Sequence, residues 1–172
     1  MYTGANVKFS DIEKDTANLD MEKLNITKNT KAIIPVHFAG QSCDMEKFFH
    51  IAKKNNLFII EDAAHAIGSF YKGYPVGSCK FSDMTVFSFH PVKNITTGEG
   101  GAITTNDEEL YNRLKLFRSH GMLKTAEMQN SWKYKMIELG YNYRMTDLQA
   151  ALGISQLKRL NKFKQKRRDI IL

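Results

Sequence analysis

The sequence predicts an α/β domain built on a mostly parallel sheet. Three observations carry that expectation. Short, almost continuous apolar runs at Lys31–His37, Leu57–Ile60 and Met84–Phe89 read as strands covered on both faces. Helical periodicity falls between and after them. The order strand, helix, strand, loop, strand, loop, helix is that of a parallel sheet with crossover connections.

Each element has a local reason. Lys31–His37 and Leu57–Ile60 are rich in isoleucine, and the second is followed at once by two acids. Between them, Asp44 is placed to cap a helix over Met45–Asn55, with Phe48, Phe49 and Ala52 on one face. Met84–Phe89 is β-branched and aromatic, and Gly101–Thr105 is a weaker strand. Asn106 followed by Glu109 resembles a capping box, after which Leu110, Leu114 and Phe117 recur at helical spacing. A last helix is expected from Thr146, carrying Leu148, Ala151, Leu152, Leu157 and Leu160 and running on into a basic stretch. No internal repeat or linker interrupts the chain.

At 172 residues, with 42% apolar and 25% charged residues, the chain has a single-domain length and an ordinary globular composition. Collagen-like, low-complexity and disordered classes are excluded. No apolar run reaches the ~18 residues a membrane span needs. Met1–Asn6 is not followed by the apolar core of a signal peptide, so a cytoplasmic location is expected.

The net charge of +7 has one source: Lys158, Arg159, Lys162, Lys164, Lys166, Arg167 and Arg168, with no acid among them, leave 18 bases against 18 acids elsewhere. Such a stretch is either a solvated helix face, a surface for a partner segment, or an anion- or nucleic-acid-binding patch. Charge runs alone favour the first two, and no nucleic-acid partner is expected. Cys43 and Cys79 lie far apart and make no C-x-x-C pair, and the five histidines lack metal-ligand spacing. Reduced thiols and no metal site follow. Asn25-Ile26-Thr27 and Asn94-Ile95-Thr96 fit the glycosylation pattern by chance if the chain is not secreted.

In parallel sheets, ligands bind beyond the carboxyl ends of strands. Two segments lie there. Glu61-Asp62-Ala63-Ala64-His65 follows the second run. An acid at that place needs a partner, because an unpaired buried carboxylate is costly; it either meets a cationic ring nitrogen of a cofactor or caps the next turn. Ser88-Phe89-His90-Pro91-Val92-Lys93-Asn94 closes the third run, and Gly98-Glu99-Gly100-Gly101 follows. A lysine there is either a Schiff-base nucleophile or solvated surface. The Ser88 hydroxyl is a candidate phosphate ligand, and glycines let backbone approach a ligand. Neither a dinucleotide fingerprint nor a Walker loop is present.

Taken in order, these motifs resemble the fold-type I pyridoxal-phosphate enzymes, and more narrowly the DegT/DnrJ/EryC1/StrS family of sugar aminotransferases. Pro35–Gly40, Phe117–Gly121 and Gly140–Met145 match as well, and the resemblance runs through essentially all of the chain. It implies pyridoxal 5'-phosphate as cofactor and part of the family's large domain as the fold. Residues 1–145 would form that partial cofactor-binding domain, and 146–172 the helix leading toward a small domain. Family members are about twice as long. The resemblance therefore implies that this chain begins inside the large domain, lacks a phosphate-gripping Gly-Thr turn, and leaves apolar faces exposed.

The roles it implies are individual. Lys93 matches the lysine that binds the cofactor's aldehyde and moves the substrate proton. Asp62 matches the acid that keeps the pyridine nitrogen protonated, His65 the residue beside the ring and its phenolic oxygen, and Ser88 a phosphate ligand. Asn142 matches a phosphate contact given by the neighbouring subunit, so a homodimer with shared active sites is implied. His90 and Arg144 are weaker substrate-pocket candidates, and His37, His90 and His120 are expected to orient loops. Around Lys93 the sequence looks most like the branch that aminates C4 of UDP-linked 4-keto-6-deoxy-N-acetylhexosamines, with an amino acid, by resemblance glutamate, as donor. A non-catalytic remnant of such an enzyme is the alternative, as is another nucleotide-linked keto sugar.

Overall fold

The computed structural model describes residues 3–123 and 132–171. In chain order its elements are β1 (Ala32–Ile33), α1 (Met45–Asn55), β2 (Phe58–Asp62), β3 (Phe70–Tyr71), β4 (Tyr74–Pro75), β5 (Met84–Ser88), β6 (Gly101–Thr104), α2 (Glu108–Arg118), β7 (Met122–Leu123), β8 (Lys135–Met136), α3 (Asp147–Lys158) and α4 (Leu160–Ile171). Short 3-10 turns lie at Met21–Lys23 and Phe38–Gly40.

The α/β expectation holds. A four-stranded sheet runs in the order β1-β2-β5-β6. β1, β2 and β5 are mutually parallel, and β6 returns antiparallel along β5, pairing Ser88 with Gly101. β3–β4 and β7–β8 form two small antiparallel ribbons, neither anticipated from the sequence because two-residue strands carry no periodicity.

β1 is shorter than its apolar run suggests. Pro35 has no N–H to give to a ladder, so regular pairing stops at Ile33. The chain re-engages β2 three residues on through a single parallel bridge, Val36 to Asp62. β2, in contrast, extends through both acids to Asp62.

α1 covers one face of the sheet. Phe48, Met45 and Ala52 pack with Cys43 on Ile33 and Ile59, and this is the main core. Coverage of both faces, expected from the apolar runs, is not found among the described residues: Ile34, Phe58 and Ile103 are 57%, 54% and 46% exposed. Strands one face of which is open still read as apolar, because isoleucine and phenylalanine also serve the uncovered side.

Caps differ from the sequence reading in two places. Asp44 precedes α1 but makes no side-chain cap; its carboxylate accepts from the Tyr71 hydroxyl and pairs with Lys47 at 3.0 Å. Burial pushes the Asp44 pKa up, and these two partners outweigh it, leaving the net value lowered. At α2 the cap is Asp107, which accepts from the Leu110 N–H at 2.9 Å, while Asn106 turns back to the Ser78 carbonyl. Thr146 caps α3 in a full capping box with Gln149. The long final helix is two helices, broken at Arg159. α3 leaves Leu148, Ile154 and Leu157 exposed. No helix among the described residues is long and apolar enough to cross a membrane.

Candidate functional site at the carboxyl edge of the sheet

β2 and β5 are neighbours with Asp62 in register with Val86. Paired residues of parallel strands face the same way, and side chains alternate, so Asp62, Val86 and Ser88 share one face. It is the face opposite α1. Asp62 and Ser88 thus sit at the carboxyl ends of adjacent parallel strands, both half-buried.

The loop after β5 is held by its own backbone. The Phe89 N–H donates to Gly100 O at 2.8 Å, the Thr97 N–H to Phe89 O at 3.0 Å, and the Lys93 N–H to His90 O at 3.0 Å. Ile95 and Thr97 are buried and anchor it. Asn94, beside Lys93, donates its side-chain amide to the His65 carbonyl at 2.9 Å. That bond ties the lysine loop to the turn after β2. No local sequence pattern marks that bond, because its partners are 29 residues apart.

A third segment closes on the same turn. Gly40 has φ +87°, and a Cβ there would meet the His65 carbonyl at 3.0 Å. The Ser69 hydroxyl donates to Gly40 O at 2.7 Å. This close approach sets Phe38 edge-on to the His65 ring, centroids 6.3 Å apart. The fold therefore gathers Asp62, His65, Ser88 and the Lys93 loop at one edge.

His90 belongs to that loop but is exposed; its Nδ1 accepts from the Val92 N–H at 3.3 Å, which makes it a loop-orienting residue. Asn142 and Arg144 lie on a separate segment, exposed, pinned to the end of α2. The His120 N–H donates to Tyr141 O at 2.8 Å and the Tyr143 N–H to Arg118 O at 2.9 Å. Gly121 is required there, since a Cβ would fall 1.7 Å from the Glu138 carbonyl oxygen.

Beneath the edge lies a buried polar network. His37 is 0% and Glu61 5% exposed. Their side chains meet at 2.7 Å, Nε2 to Oε2. The Cys43 N–H donates to His37 Nδ1 at 3.2 Å, so the ring proton sits on Nε2 and is given to Glu61. Glu61 Oε1 accepts from Ser82 and, at 2.9 Å, from Thr85. Burial pushes the Glu61 pKa up; the bonds from His37, Ser82 and Thr85 outweigh it, and the net value lies below that of an ordinary glutamate. The neighbouring Cys43 thiol is pushed up to about 12, chiefly by burial.

A depressed folded pKa contributes stability that is present above the unfolded value and lost as pH falls through the folded one. Acid should therefore destabilise the chain below the ordinary glutamate range of about 4.3. Glu61→Gln should flatten that limb of a urea-midpoint profile taken against pH. Superimposable acid limbs for the two proteins would refute this.

The residues at the edge suit pyridoxal 5'-phosphate. Asp62 Oδ1 accepts from the Ala64 N–H at 3.1 Å. Its second oxygen, the Lys93 amine and both His65 ring nitrogens have no hydrogen-bond partner among the described residues. A free carboxylate oxygen, a free amine, an imidazole and a serine hydroxyl are the acceptor, nucleophile and donors that a protonated pyridine, an aldehyde, a phenolic oxygen and a phosphate require.

The sequence profile of the DegT/DnrJ/EryC1/StrS aminotransferase family matches residues 1–172, and the chain belongs to that family. It is 48% identical over 175 residues to a UDP-4-amino-4,6-dideoxy-N-acetyl-beta-L-altrosamine transaminase of Campylobacter jejuni, covering 99% of this chain and 45% of that protein. Among solved structures it is similar to Helicobacter pylori PseC, an aminotransferase involved in the biosynthesis of pseudoaminic acid, with TM-score 0.89, 43% identity, and coverage of 98% of this chain and 44% of the other. The PMP form of Spr1654 from Streptococcus pneumoniae gives TM-score 0.90 at 39% identity, covering 99% and 49%; the same protein is also known in a PLP form. The family's aminotransferases use pyridoxal phosphate, and the chain spans about half the length of the relatives it matches.

Proposed function

We propose that this chain is the cofactor-binding part of a pyridoxal-phosphate-dependent sugar aminotransferase. Its substrate is a UDP-linked 4-keto-6-deoxy-N-acetylhexosamine aminated at C4, and its donor is an amino acid, glutamate by family likeness. The observation that carries the reading is the convergence of Asp62 and Ser88, at the ends of adjacent parallel strands, with the Lys93 loop tied to His65 through Asn94.

When bound, the cofactor acts as an electron sink for the carbon that loses a proton. The chain supplies the rest. The Asp62 carboxylate holds a proton on the ring nitrogen. With the cofactor bound, the Lys93 amine would engage its aldehyde and, once displaced by the substrate amine, would serve as the acid–base that moves the proton between the substrate carbon and the cofactor's former aldehyde carbon in both half-reactions. Ser88 anchors the phosphate, and His65 holds the ring and its phenolic oxygen. By the family likeness Asn142 reaches the phosphate of a neighbouring subunit, which makes the assembly a homodimer; its exposed position is open to such a contact. His90 and Arg144 border the sugar. The setting is cytoplasmic, in keeping with two buried free cysteines. Residues 1–145 form the cofactor-binding part, and 146–172 leads toward a small domain.

The test is an absorbance spectrum with added pyridoxal phosphate, followed by borohydride reduction and peptide mapping. A single adduct on Lys93 is expected. Adducts scattered over the exposed lysines, with none at 93, would overturn the reading.

A further inference from the structure

Asp62 owes its place to an irregular stretch of sheet. β1 ends at Ile33, and beyond it two backbone hydrogen bonds hold the 35–37 segment to Asp62: the Asp62 N–H donates to Pro35 O at 2.9 Å, and the His37 N–H to Asp62 O at 3.0 Å. Two such bonds at a sheet margin beside a proline make a weak register by themselves. The buried side chains supply what the ladder lacks. His37 belongs to the outer segment and Glu61 is the residue before Asp62. Their 2.7 Å bond closes a ring through the Asp62 peptide, and the ring cannot open without leaving the buried Glu61 Oε2 unpaired. On the other side, Glu61 accepts from Thr85, its register partner, and from Ser82, just before β5. One carboxylate therefore links three chain segments around the base of Asp62.

We infer that the His37–Glu61 pair is a positioning clamp for Asp62, fixing that carboxylate for the ring nitrogen of the cofactor without touching it. The inference rests on the cofactor-binding reading above. Neither residue lies on the face that carries Asp62 and Ser88; Glu61 is on the α1 side, so its effect runs through the backbone.

The clamp is testable in the cofactor-free chain. In Glu61→Gln, hydrogen-exchange protection at the His37 and Asp62 amides should fall by about tenfold or more relative to the amides of α1, which report global opening. The same variant should bind pyridoxal phosphate about tenfold more weakly, because a mobile acid loses its pre-organisation. Unchanged relative protection, or lost protection with unchanged affinity, overturns the inference. Should Glu61→Gln fail to fold, Ser82→Ala removes one bond at a half-buried position and gives the same comparison with a smaller change in the same direction; no change in either measurement overturns the inference equally. Borohydride mapping of the unaltered chain separates the two readings. No adduct at Lys93 refutes the cofactor reading, while the amide comparison still decides whether the clamp exists.

Discussion

Lys93→Ala should abolish the covalent, borohydride-trapped adduct with pyridoxal phosphate at the sheet edge while leaving the fold intact. Pyridoxal phosphate condenses with any accessible amine, and this chain has 19 lysines, many exposed. Selectivity has to come from placement. The Lys93 backbone is fixed by the His90 carbonyl, and its neighbour Asn94 is fixed to His65, so in the proposed site the amine would be presented to a ligand held by Asp62, His65 and Ser88. Intramolecular presentation of this kind multiplies a local rate by orders of magnitude over a surface lysine. The expected result is loss of the mapped adduct with unchanged far-ultraviolet dichroism, because Lys93 makes no side-chain bond among the described residues that folding would miss. An undiminished adduct in Lys93→Ala would remove residue 93 from its proposed role.

Phe48→Ala should cost about 3–5 kcal/mol of unfolding free energy. The ring is fully buried in the layer between α1 and the sheet, among Ile33, Met45, Ala52 and Ile59. Truncation removes the largest fully buried side chain and leaves a cavity that a helix and a sheet cannot both collapse into. Against a total of about 5–15 kcal/mol for a domain, such a loss is a large fraction. The sheet's other face is open at Ile34, Phe58 and Ile103, so this core has little reserve. Urea denaturation of the two proteins gives the difference directly. A change under about 1 kcal/mol would mean that the layer repacks and is not the principal core.

The edge residues themselves were legible because strand-end motifs are local. Asp62, His65, Ser88 and Lys93 follow apolar runs within a few residues, and a parallel sheet puts all such ends on one side. Their partners were not, because those bonds span 24 residues or more: His37 to Glu61, and Asn94 to His65. A histidine expected to orient a loop does so, but only the fold says which loop and through which carboxylate. Caps failed for the same reason on a shorter scale. Asp44 was drawn away from its helix by Tyr71, 27 positions distant, a competition invisible in the local pattern.

The sequence by itself determined the α/β class, the motifs at the strand ends and the family, since periodicity and short motifs are properties of neighbouring residues. Tertiary structure alone decided that β6 runs antiparallel, that one sheet face is uncovered, and that a buried histidine–glutamate pair braces Asp62. Each of these depends on which distant segments share a hydrogen bond or a packed layer, and chain order does not encode that as a local signal.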